Sequence, residues 1–232
     1  MGFLVPILMC LAFILVWIRL TKWILALDRR LMKKSLLRSV RLDMRSTAAL
    51  LSLCLRENRF LYERWFPKRS PRGTLYEEIP CVLLLGKKIF VLEICYLPGL
   101  FQNTDAETWR VIPPAEYKTK KEVQIKNPVL LAQDRASLLT ELLDTVGSPF
   151  EISVESMAVF TDHNHRCAVS GQKGVYTVTE AIAYLSRFAP KTKAERKKMK
   201  RANKMISAIF GRYSLSRRQA IARNNKMRTK KK

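Results

Sequence analysis

The side chains best equipped for chemistry are cations near the C-terminus. Lys191, Lys193, Arg196, Lys197, Lys198, Lys200, Arg201 and Lys204 crowd one stretch, and Arg217 and Arg218 follow. Residues 187–232 carry a net charge of +17, with Glu195 as their single acid. Neutralising about 6–10 phosphates gives strong, salt-sensitive, sequence-independent binding to nucleic acid. The same composition binds anionic lipid beside a membrane, and a solvated tail is the plainest alternative. Met199, Met205, Ile206, Ile209, Phe210 and Tyr213 fall at helical spacing. The stretch is therefore expected to become helical on a polyanion while presenting an apolar stripe.

Other reactive types are scattered. His163, His165 and Cys167 lie close together, but a zinc site needs a fourth ligand that this segment does not supply. It reads as a polar surface loop. No Gly-x-Ser-x-Gly elbow, Walker A loop or Gly-x-Gly-x-x-Gly turn occurs. The five cysteines (Cys10, Cys54, Cys81, Cys95, Cys167) are odd in number and never in a C-x-x-C pair, which argues against a disulfide framework and suits a reducing compartment.

The elements that must position these groups divide by charge. The 232 residues carry a net +24, enough chain for one membrane segment and one modest domain. Residues 19–72 are net +11 and residues 73–186 net −4, so the whole excess lies in the flanks. Met1 to Ile18 holds no charge, and Trp23–Leu27 resumes the apolar character after Arg19 and Lys22. About 20 residues span a bilayer core, so residues 1–27 are expected to form a transmembrane anchor. Basic residues follow the run and none precedes it. Positive-inside then places the N-terminus outside and the rest in the cytoplasm. Residues 28–72 read as basic juxtamembrane helices, with Ser46 or Thr47 capping a more apolar one that runs to Leu55. Residues 189–232 form the polybasic tail.

Between the flanks, Cys81–Leu85 and Ile89–Tyr96 flank the turn Gly86-Lys87-Lys88, as a hairpin does. A helix is expected from about Asn127 to Thr145, closed by Gly147. Strands at Ser156–Phe160 and Val175–Val178 and a short helix from Glu180 to Phe188 complete an α/β or α+β domain over 73–188. Four segments in this order resemble the nuclease-related domain (NERD) family, a branch of the restriction-endonuclease-like fold. They are Tyr76–Cys81, the hairpin Gly86–Gly99 with Glu93, Asn127-Pro128 opening a helix with Leu139 and Leu143, and Ala158-Val159-Phe160-Thr161-Asp162. The resemblance implies a central mixed sheet with flanking helices, preceded here by the transmembrane helix.

It also implies a metal-dependent nuclease centre, with an Asp on one strand, a Glu on the next and a Lys two residues after the Glu. Alternate strand residues share a face, and Mg²⁺ takes such oxygen ligands. Glu93 stands at the Glu position, but Pro80 holds the Asp position, Cys95 the Lys position and Leu131 the place of a helical Gln, beside Gln133 and Asp134. Pro80 offers no side-chain ligand and Cys95 no positive charge. Glu77 or Glu78, or Asp105 with Glu107, would have to replace the lost Asp, with Lys87 or Lys88 as the cation. Otherwise Glu93 is a half-buried carboxylate satisfied by neighbouring donors.

The expected function is a membrane-anchored, nuclease-like module that has lost cleavage and binds nucleic acid through its basic flanks. The enzyme alternative is a nuclease with rearranged carboxylates around Glu93, Glu78 among them, using Mg²⁺ or Mn²⁺; otherwise no cofactor is expected. The third reading is a lipid-surface or protein scaffold. An anchor of this kind on a domain of this type implies a bacterial cell membrane.

Overall fold

A computed structural model describes residues 44–55, 57–71, 73–95, 100–103, 107–112, 122–147, 151–161 and 173–229. The run expected to anchor the chain, residues 1–27, lies outside them, as do Asp105 and the loop with His163, His165 and Cys167. Among the described residues no helix is long and apolar enough to cross a membrane.

The described elements are α1 (Met44–Cys54), β1 (Arg59–Ser70), β2 (Gly73–Leu85), β3 (Lys88–Cys95), β4 (Leu100–Asn103), β5 (Thr108–Ile112), β6 (Val123–Lys126), α2 (Pro128–Val146), β7 (Ser153–Phe160), β8 (Val175–Thr177), α3 (Val178–Ser186), α4 (Lys193–Tyr213) and α5 (Arg217–Thr229). They form a mixed α/β unit. Its main sheet runs β1-β2-β3-β7-β8. β2 is antiparallel to both neighbours, whereas β3, β7 and β8 are parallel. The parallel step requires a crossover, and α2 provides it. Asn127 caps its start by accepting from the Val129 N–H at 2.9 Å, Pro128 occupies the first turn, and Gly147 closes it at φ 64.

Cys81–Leu85 is buried throughout, as is Ile89–Leu92, so both strands read as continuous apolar runs rather than alternations. Ile89 and Val91 pack against Leu139, Leu142 and Leu143 of α2. Phe90, between them, points to the other face and meets Tyr184 and Phe188 at 6.3 and 5.4 Å between ring centres. The turn at Gly86, φ +68, admits no Cβ without strain. A second, antiparallel sheet β4-β5-β6 packs Phe101 and Trp109 on Phe160.

Two segments differ from expectation. Residues 59–70, read as part of the basic juxtamembrane helices, form β1 instead. Phe60, Tyr62, Trp65 and Phe66 favour a pleated surface, and β1 pairs with β2 along nearly its whole length. Ser46 and Thr47 lie inside α1 rather than capping it. The polybasic segment, expected to become helical on a polyanion, is already two helices resting on the sheet. Ile206 and Phe210 of α4 are fully buried beside Phe66 and Ile79, and Phe210 meets Phe66 edge-on at 5.2 Å. Burying two such side chains contributes about 3–6 kcal/mol, enough to hold α4 without any ligand.

Candidate nucleic-acid interface and the Glu93 site

Glu93 lies on β3, on the face shared with Ile89 and Val91, and so looks toward α2. There Arg135 donates from Nη1 to Glu93 Oε2. The two side chains are 19% and 15% exposed, so this is a mostly desolvated ion pair. Burial pushes the Glu93 carboxyl above the usual carboxylate range; the Arg135 guanidinium pulls it back, and the charge of Glu78 adds to the upward push. Burial also raises the Cys81 thiol, helped by Glu93.

The positions expected to complete a catalytic set do other work. The β2–β3 ladder ends at Val82 with Val91; the same register carried two residues further brings Pro80 opposite Glu93. On its other side Pro80 faces Glu63, which takes φ +49 where the β1–β2 pairing skips a step. A proline has no N–H to hold a ladder there. Cys95 ends β3, its carbonyl accepting from the Thr161 N–H and hydroxyl at 3.2 and 3.3 Å. Gln133 and Asp134 are exposed on α2.

Of the substitutes that are described, Lys88, Glu77 and Glu107 have contacts elsewhere. Lys88 opens β3, five residues from Glu93, or about 16 Å along an extended strand. It pairs with Glu155 and lies 4.6 Å from the Phe188 ring centre. Glu77 is paired with Lys68 at 2.5 Å. Glu107 lies just ahead of β5, its carbonyl accepting from the Asn127 N–H at 2.7 Å. Glu78 alone acts on Glu93, through charge. Among the described residues, no three of His, Cys, Asp and Glu come together as metal ligands. Among the described residues, then, Glu93 is held by Arg135 and not grouped with further oxygen ligands of the kind Mg²⁺ or Mn²⁺ takes.

The cations form a continuous feature. On α4, Lys193, Lys197, Lys198, Lys200, Arg201 and Lys204 are exposed, Arg196 is half-buried, and Lys191 is exposed just ahead of the helix. On α5, Arg217 and Arg218 are exposed as well. The one acid of this stretch stands at its N-terminal end, away from most of these cations. Glu195 is committed to the helix start, where Oε2 accepts from the Lys191 and Thr192 N–H groups at 2.7 and 3.1 Å. Those bonds hold its carboxyl below the usual range. Lys200 approaches Glu57 at 3.4 Å. Lys193/Lys197, Lys197/Arg201 and Lys200/Lys204 are like charges at i, i+4 spacing, each costing a few tenths of a kcal/mol.

Polar side chains that sequence reasoning passed over fix this face in place. Asn203, buried on α4, accepts from the Gly86 N–H and donates to the Glu57 carbonyl, both at 2.8 Å. Leu215 exchanges backbone bonds with Trp65 on β1, at 2.8 and 3.2 Å. Asn224 accepts from the Tyr76 N–H and donates to the Tyr76 carbonyl, both at 2.9 Å. Arg223 donates to the Tyr76 hydroxyl at 2.8 Å. The readable signal was Arg196, Met199, Asn203, Ile206 and Phe210, a helical stripe with an amide at its centre. Arg135 had a signal too, standing four residues before Leu139 on an otherwise apolar face.

No family model matches the chain, nor does any curated protein or solved structure.

Proposed function

We propose that this chain is a non-cleaving, nuclease-like module that holds nucleic acid on the exposed cations of α4 and α5. The observation that carries the reading is a rigid basic face whose single acid, Glu195, is occupied at the helix start. A prepaid fold with repelling like charges is stabilised by any polyanion that neutralises them, and nucleic acid supplies closely spaced phosphates.

The restriction-endonuclease-like, NERD-type reading rests on the element order. A meander β1-β2-β3, a crossover helix and a parallel strand β7 place Glu93 on the central strand. Loss of cleavage rests on Pro80 at the position the resemblance gives to Asp, Cys95 at that of Lys and Arg135 occupying the Glu93 carboxylate. The uncharged run Met1–Ile18 supports anchoring in a membrane with this module on the cytoplasmic side, the basic residues from Arg19 to Arg41 facing anionic lipid.

The test compares the full chain in mild detergent with a variant carrying Lys193→Gln, Lys197→Gln, Arg201→Gln and Lys204→Gln. Binding to a short duplex is followed across a salt series. The reading predicts weaker binding and a shallower salt slope, by about one unit for each cation that meets a phosphate. An unchanged slope, or tighter binding to anionic vesicles than to the duplex, would count against it.

A further inference from the structure

β1 and β2 run on past the point where β3 leaves them, and α5 lies against this free hairpin. Between hairpin and helix is an open cleft of about 730 Å³, within the range of sites that hold small ligands. Trp65, Leu75 and Ile221 supply apolar lining, and Arg69, Glu78 and Asn225 supply polar groups. Leu75 and Ile221 are 38% and 41% exposed, an unusual position for two large aliphatic side chains beside an indole. The cleft wall is fixed, because Asn224 engages the Tyr76 backbone with both ends of its amide.

We propose that this cleft takes one unpaired base of a nucleic acid strand whose backbone lies on α5, which rests on the binding function proposed above. The charges choose the base over the phosphate. Lys68 is already paired with Glu77, and the Glu78 carboxylate offsets Arg69 on the lining, so the cleft holds no net positive charge to draw a phosphate inside. Outside it, α5 carries the exposed cations Arg217, Arg218 and Lys226. The Trp65 indole offers a surface for a planar ring, and Asn225 offers a donor and an acceptor together. Glu78 accepts only, so it takes the exocyclic amino group of adenine, cytosine or guanine more readily than the single N3–H of thymine or uracil, which is flanked by two carbonyls that repel a carboxylate. A paired base cannot enter, so the cleft adds affinity for single strands alone.

The test uses the full chain in mild detergent, with single-stranded oligonucleotides of mixed sequence, oligo-dC and oligo-dT, and a duplex of equal length, at one salt concentration. The mixed strand is expected to bind about tenfold more tightly than the duplex, and oligo-dC more tightly than oligo-dT. Trp65→Leu should remove the single-strand advantage while leaving duplex binding in place. Glu78→Gln, which changes no shape, should narrow the dC-over-dT difference alone. Equal binding of strand and duplex, or an advantage that survives Trp65→Leu in a chain with an unchanged unfolding midpoint, overturns the cleft and leaves the basic face standing. Failure to bind any of these nucleic acids overturns both.

Discussion

Asn224 stands to Tyr76 as a strand residue would stand to its neighbour. Its Oδ1 accepts from the Tyr76 N–H and its Nδ2 donates to the Tyr76 carbonyl, both at 2.9 Å. β3 no longer pairs with β2 at this point, so the amide of one helical side chain completes the open strand edge. Leu215 does the same for β1 through its backbone at Trp65. The basic helix α5 is thereby tied to both strands of the hairpin.

Asn224→Ala is expected to lower stability by about 1 kcal/mol, since it leaves two part-buried backbone groups without partners. Asn224→Asp should cost at least as much, because a carboxylate would then face the Tyr76 carbonyl. Urea unfolding of the variants beside the wild type checks both.

Asn203 is buried and joins α4 to the β2–β3 turn at Gly86 and to Glu57. Asn203→Ala should cost about 2 kcal/mol, more than the Asn224 change, because its partners are better shielded from water. Gly86→Ala, at φ +68 with Met199 already in contact distance of a new Cβ, should cost about 1–2 kcal/mol. A fall in stability for Gly86→Ala without any for Asn203→Ala would break the link between helix and turn.

The legible parts of the fold were those with one dominant local signal. The turn at Gly86 and the capped helix from Asn127-Pro128 to Gly147 sit within a few residues of expectation, whereas β2 starts at Gly73, well before the expected Cys81. β1 was not legible, because its three arginines, Lys68 and Glu63 hide the aromatic pattern and its partner strand decides its state. α4 was misread for a related reason. Its charge is conspicuous, whereas its attachment depends on Asn203 meeting a turn 117 residues away. At the Glu93 site, Pro80 and Cys95, at the positions the resemblance gives to Asp and Lys, were visible in sequence. The partner Arg135 was not sought, since it comes from a helix and not from the neighbouring strand.

Arg135→Ala should destabilise by about 2–3 kcal/mol by leaving Glu93 desolvated and unpaired. Glu93→Leu combined with Arg135→Met should cost less than the two single changes added together. The four-species cycle, measured by urea unfolding, gives the coupling directly.

The two perturbed carboxylates pull the pH profile in opposite senses. Glu93 is raised in the folded state, so its contribution is complete below the unfolded value of about 4.3 and is lost as pH rises through the higher folded value. Glu93→Gln should therefore gain on the wild type as pH rises from about 4 through the folded value. Glu195 is lowered, so its contribution is present above the unfolded value and is lost as pH falls through the folded one. Glu195→Gln should lose ground to the wild type on the neutral side of that window. A Glu93→Gln gap that shrinks toward neutral pH would show Arg135 outweighing burial.

Removing like charges from α4 should not destabilise it. With Lys197→Gln and Lys200→Gln, stability in low salt is expected to stay level or rise by a few tenths of a kcal/mol, while binding to nucleic acid falls. Thermal unfolding with and without added duplex separates the two effects: the wild type should gain more from the duplex than the variant does.

The most direct measurement incubates the full chain in mild detergent with plasmid and single-stranded nucleic acid, in Mg²⁺, in Mn²⁺ and in EDTA, beside a Glu93→Ala control. Gel shifts across a salt series are read from the same samples. The account predicts binding with a steep salt slope, the same in EDTA, and no cleavage. Metal-dependent nicking that disappears with Glu93→Ala would contradict it, and would mean that carboxylates outside the described residues complete a working centre.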